Sequence, residues 1–150
     1  MIYPVKNPIV TSGYGNRLLN GVKNFHDGID FVSGSGDQTV FAVADGTVVY
    51  DFDAYDDALR WIDQKMGAGN YVILSHVFNG EIFFCRYIHL GGNTVSHGQK
   101  ISEGSSIGVY ADVGYSYGAH LHFDIYDKNW KKIDPTPYFN GARDYGKKQT

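Results

Sequence analysis

His120 and His122 stand one residue apart in the run AHLHFDIY. In an extended chain, side chains at i and i+2 project to one face, so the two imidazoles point together while Leu121 and Phe123 face the other way. A second pair, His26 and Asp30 in FHDGIDF, is four residues apart, and Gly28 between them favours a bend over a helical turn. Imidazole nitrogen and carboxylate oxygen are both zinc donors. A site of His26, Asp30 and His122 would supply three ligands and leave a fourth position open, the arrangement of a catalytic rather than a structural zinc. Zinc lowers the pKa of a bound water to about 7 and can polarise a carbonyl. His120, on the same face and not needed as a ligand, and His89, at the end of EIFFCRYIHL, would then serve in proton transfer and oxyanion support. Spacing alone argues for a metal more strongly than for hydrolysis.

The elements that must hold these residues read as strands. Apolar, β-branched and aromatic runs occur at TVFAVA (39–44), GTVVYDF (46–52), NYVILSHVF (70–78), EIFFCRYIHL (81–90) and HLHFDIY (120–126). Between them lie the turn formers Asp45-Gly46, Asn79-Gly80, Gly91-Gly92-Asn93 and Asp127-Lys128-Asn129, with Asn79-Gly80 the clearest hairpin signal. Glycine (19) and tyrosine (12) are abundant in the 150 residues, which suits strands joined by tight turns. One stretch departs from this: DAYDDALRWIDQKMG (53–67) spaces Ala58, Leu59, Trp61, Ile62 and Met66 roughly as a helix does, and predicts a short helical insertion. The expectation is a single all-β antiparallel domain with one such insertion and a loose polar tail over 141–150.

Composition narrows the function classes. A net charge of −3 with 19% charged residues carries no basic footprint for nucleic acid. No apolar stretch approaches the roughly 20 residues of a membrane span, and MIYPVKNPIV lacks the basic and apolar regions of a signal peptide. Cys85, the one cysteine, sits in an apolar run and reads as a buried small hydrophobe. His76 reads as structural or groove-lining, and His97, beside Gly98, as an exposed turn residue. Tyr14 and Arg17 in SGYGNR are candidate substrate contacts, the phenol through a hydrogen bond and the guanidinium through a peptide carboxylate.

Taken in order, SGYGNR, HDGID, VFAVADGTVVY, GNYVILSH, RYIHL, VSHGQKISEGSSIG, YGAHLHFDIY and DPTPYF resemble the lysostaphin-like, LytM-type zinc endopeptidases, which cut peptidoglycan cross-bridges. The resemblance runs from about Ser12 to Phe139. It implies a β-sandwich or barrel-sandwich hybrid with a substrate groove, and one Zn2+ on His26, Asp30 and His122. It also implies His89 and His120 as the catalytic pair. All five positions carry the expected residue, which argues against the family's degenerate binding members; a non-hydrolytic peptidoglycan- or partner-binding module is the alternative reading. Two departures bear on specificity: Tyr117 replaces a small residue beside the HxH pair, and the 53–67 insertion replaces a short connection. The implied partner is the peptide stems and cross-bridges of bacterial peptidoglycan. With no export signal visible, the expected setting is a bacteriophage, in the virion tail among other virion or lysis proteins, or in the host cytoplasm before release. A fragment of a secreted protein is the other setting.

Overall fold

The computed structural model describes residues 1–116 and 118–142. Among these residues, twelve strands follow in chain order. They are β1 (Pro8–Ser12), β2 (Gly15–Leu19), β3 (Val22–His26), β4 (Ile29–Ser33), β5 (Thr39–Phe41), β6 (Gly46–Phe52), β7 (Asn70–Phe78), β8 (Glu81–Asn93), β9 (Lys100–Ile101), β10 (Ser106–Tyr110), β11 (Leu121–Tyr126) and β12 (Lys132–Ile133). The large sheet runs β1-β4-β11-β8-β7-β6-β9, with β10 joined to β5 and β8, and β12 to β11; β2 and β3 form a separate ribbon. The described pairings are antiparallel, as the short glycine turns between apolar runs allow.

Local chemistry accounts for the hairpins. Asn79 (φ 50°) and Gly80 (φ 79°) both take positive φ, the requirement of a two-residue turn whose twist matches its strands, so β7 and β8 pair from Phe78 opposite Glu81 onward. At the other end of β11 the Asp127 carboxylate accepts the backbone N–H groups of Asn129 and Lys131 and closes the turn into β12. Strand β11 lies between β4 and β8, and its Leu121, Phe123 and Ile125 are fully buried. Phe123 meets Tyr87 edge-on at 5.2 Å and Phe139 at 5.4 Å, forming the aromatic centre of the core. Cys85 is fully buried beside them, as its apolar run predicts.

Two expectations need correction, and a third is refined. Gly91-Gly92-Asn93 is no turn: β8 continues to Asn93, because Val109 and Gly108 of β10 pair with Gly92 and Asn93. A Cβ on Gly108 would stand 2.5 Å from the Gly92 carbonyl, so the glycines here serve close strand approach. The 39–44 run is a strand only to Phe41; Ala42 turns its hydrogen bonds to the 104–105 segment. The 53–67 insertion is not one helix but a 3-10 turn, Asp57–Leu59, followed by the four-residue helix α1 (Gln64–Gly67). Asp56 caps the first turn by accepting the Ala58 N–H. Trp61 and Ile62 are 51% and 79% exposed, so the insertion has no single buried apolar stripe to stabilise a longer helix. Residues 143–150 of the expected loose tail lie outside the described residues.

Candidate metal centre

The centre is assembled by register. On neighbouring strands β4 and β11, Asp30 stands directly opposite His122, and their side chains meet, Asp30 Oδ1 to His122 Nδ1, at 3.0 Å. His26 closes β3, and two residues later the chain presses against β11: a Cβ on Gly28 would lie 2.5 Å from the Phe123 carbonyl and 2.6 Å from His122 Nε2. Only glycine permits that approach, which brings His26 Nε2 to 3.2 Å from Asp30 Oδ1 and 3.1 Å from His122 Nδ1.

The outer hydrogen bonds assign each ring's tautomer. His26 Nδ1–H donates to the Gly13 carbonyl at 2.9 Å, and His122 Nε2–H donates to Asp124 at 3.0 Å. Each ring therefore turns a lone pair inward, toward a carboxylate oxygen that is itself only an acceptor. Three acceptors converging within 3.2 Å call for a cation. Their triangle is close to the edge of a zinc tetrahedron, about 3.3 Å for ligand bonds of 2.0–2.1 Å. The donor set and its spacing fit zinc.

Without metal a proton serves instead. Burial works against a charged His122, but the hydrogen bonds to Asp124 and Asp30 outweigh it and push its pKa up to about 9. Burial likewise works against charge on Asp30 and Asp124, yet the histidines beside them, and Arg86 beside Asp124, hold both carboxyls well below the usual carboxylate range.

Asp124 is the functional residue that sequence reasoning missed. It is fully buried, takes a two-pronged bond from Arg86 at 3.1 and 2.7 Å, and lies 3.3 Å from Lys132 Nζ. Lys132 in turn binds Asp27 at 2.6 Å. The signal was present: Asp124 is two residues beyond His122, on the same strand face.

His89 and His120 stand beside the centre with ring centroids 4.7 Å apart. His89 sits at a bulge where β7 and β8 change register, with φ at 65°. That conformation is rare for a residue with a side chain, and it redirects the ring out of the strand's alternation. Its Nδ1–H donates to the Val113 carbonyl at 2.8 Å. Burial first, then the neighbouring His120 and His122, push its pKa down to about 3, so its Nε2 offers a lone pair at neutral pH. His120 lies one residue before β11, bridged to Ala111; its Nδ1–H donates to the Gly118 carbonyl at 2.9 Å, and its Nε2 is 3.8 Å from Asp30 Oδ1.

A groove of about 980 Å3 opens over the centre, lined by Ser12, Arg17, Asp30, Tyr115 and His120 among others. Arg17 donates to Ser12 Oγ at 2.7 Å and lies 3.7 Å from Asp30 Oδ2, so it borders both groove and ligand. Tyr14 packs edge-on against Phe25 at 5.2 Å and is not among the lining residues. Tyr117 lies outside the described residues. His97 is exposed, while His76 is buried at the β6–β7 pairing, away from the centre, with its Nδ1 on the Asp45 carbonyl.

Fold and centre together define a class: an antiparallel β domain with a three-donor candidate metal centre on the floor of an open groove. The family follows from comparison, since the sequence profile of Peptidase family M23 matches residues 24–135, and the chain belongs to that family. It is 32% identical over 127 residues to the peptidoglycan DD-endopeptidase ShyA of Vibrio cholerae, covering 82% of this chain and 26% of ShyA. It is 33% identical over 128 residues to the murein hydrolase activator NlpD of Escherichia coli, covering 85% of this chain and 30% of NlpD. The chain thus spans under a third of the length of these two relatives. The catalytic domain of the antimicrobial peptidase lysostaphin from Staphylococcus simulans superposes with a TM-score of 0.66 at 29% identity, covering 88% of this chain and 92% of that domain.

Proposed function

We propose that this chain is a zinc-dependent endopeptidase that hydrolyses peptide cross-links of bacterial peptidoglycan. The observation that carries the reading is the orientation of four imidazoles. Two turn lone pairs onto Asp30, and two more, each tied back through Nδ1–H to a backbone carbonyl, stand beside them with Nε2 unengaged by those bonds. His26, Asp30 and His122 would hold zinc, which would supply Lewis acidity toward a scissile carbonyl and a water acidic near neutral pH. The protein's own residues do the rest. His89, held neutral, accepts a hydrogen bond from the water and fixes its orientation. His120 Nε2 takes the water's proton and returns it to the amine as the C–N bond breaks, so that one water is consumed and a carboxyl and an amine are released. The extended peptide lies along the groove between Arg17 and Tyr115, with the Arg17 guanidinium available to a peptide carboxylate.

The likeness to NlpD, as high as that to ShyA, supports a second reading in which the domain binds peptidoglycan or a hydrolase without cutting. Digestion of purified walls, with direct and with pentaglycine cross-links, separates the two. Mass spectrometry should find cross-bridge fragments only with zinc present, and His120→Ala should lower the rate by about 10²- to 10⁴-fold while zinc remains bound. Zinc binding with no product from either wall would leave the binding module as the function.

A further inference from the structure

The insertion between β6 and β7 grips the segment on which both catalytic-pair histidines depend. Arg60 donates to the Asp112 carbonyl at 2.7 Å and is itself fixed by the Tyr55 hydroxyl at 3.0 Å and the Asp57 carboxylate at 3.1 Å. Trp61 stacks on Tyr115 with centroids 5.2 Å apart and planes 17° from parallel, and the Tyr115 N–H donates to the Gly67 carbonyl at 2.6 Å. The fit is close: a Cβ on Gly67 would stand 2.4 Å from the Tyr115 ring. Between these two grips lies Val113, whose carbonyl accepts His89 Nδ1–H. The Asp112 carboxylate accepts the Gly118 N–H, and the Gly118 carbonyl accepts His120 Nδ1–H. A last tie runs from the His89 N–H to the Ala68 carbonyl.

We infer that Arg60 and Trp61 are positioning residues for the histidine pair, acting through the 112–116 segment and without touching substrate. The role rests on the endopeptidase reading for its kinetic consequence but not for its structural one. A rotation of either ring carries Nε2 away from the centre, and ångström-scale misplacement of a reacting group costs on the order of 10²-fold. Truncation of either should leave the core intact: Trp61 is 51% exposed, and neither side chain packs in the hydrophobic core.

The test compares wild type with Arg60→Met, Trp61→Ala and the conservative Trp61→Phe, all zinc-loaded. Cleavage of a cross-linked peptide is read as kcat and KM, bound zinc by mass spectrometry, and hydrogen exchange at the His89 and His120 Nδ1–H by NMR. Expected are a tenfold to hundredfold fall in kcat for Arg60→Met and Trp61→Ala, with KM and zinc content unchanged, and at least tenfold faster exchange at both imidazoles. Trp61→Phe, which keeps a ring on Tyr115, should restore most of each. A raised KM with kcat intact would overturn the inference and make the insertion a substrate wall. So would unchanged exchange, even if wild type cuts nothing, since the NMR readout needs no activity. Absence of wild-type cleavage by itself counts against the endopeptidase reading alone.

Discussion

The two faces of β11 divide the work of the molecule within six residues. Leu121, Phe123 and Ile125 face the core and are fully buried among aromatic rings. His122 and Asp124 face the other way and are almost as buried, at 8% and 0% exposure, yet hold charge through partners on β4, β8 and β12. One face needs only volume and apolarity; the other needs each polar atom matched, because an unmatched buried charge is costly. Strand alternation lets a single rigid element anchor the candidate metal centre directly on the core.

Substitutions that separate the two faces sharpen this contrast. Phe123→Ala removes a fully buried ring and should cost about 3–5 kcal/mol, the largest effect expected. Denaturant melts of metal-free protein measure it, and zinc titration of the same variant at low temperature should give wild-type affinity. A large loss of affinity would show that the centre depends on core packing rather than on its own bonds. Asp124→Asn keeps the volume but takes the negative charge from His122, Arg86 and Lys132. Zinc affinity should fall roughly 10- to 100-fold, the usual consequence of losing a ligand's outer partner, and stability should fall as well because Arg86 loses its counterion. If only stability moved, Asp124 would belong with the core face.

How much of this was legible in the sequence follows the same division. The bounds of β6 and β7 and the Asn79-Gly80 hairpin follow from alternation and turn chemistry, and the HxH pair with HxxxD picks out the residues that converge. Features set by contact across strands were not legible. Gly91 to Asn93 read as a turn because glycine's use in close sheet approach looks the same in sequence as its use in a bend. The positive φ of His89 arises from a bulge that pairing with Asn70 and Tyr110 imposes on β8, which no local pattern encodes. The insertion has helical spacing but no face to bury, and context limits it to a 3-10 turn and the four-residue α1.

The smallest of these effects uses the proton that occupies the centre when metal does not. His122 has a folded-state pKa raised to about 9 from an ordinary 6.5, so its pairing with Asp124 and Asp30 stabilises metal-free protein fully below pH 6.5 and is lost as pH rises through about 9. Of its neighbours, Asp30 and Asp124 stay ionised and His89 stays neutral between pH 7 and 9. Zinc requires the unprotonated Nδ1, so binding should release close to one proton at pH 7 and about half of one at pH 9, and apparent affinity should rise by up to about tenfold per pH unit below pH 9. Calorimetric titration of zinc in buffers of different ionisation enthalpy counts that proton. Thermal melts at pH 7, 8 and 9 should show the metal-free midpoint falling while the gap between zinc-loaded and metal-free protein widens. A gap that narrows, or binding with no proton release, would mean that His122 is neutral before metal arrives and that the acceptor triangle stands without a cation.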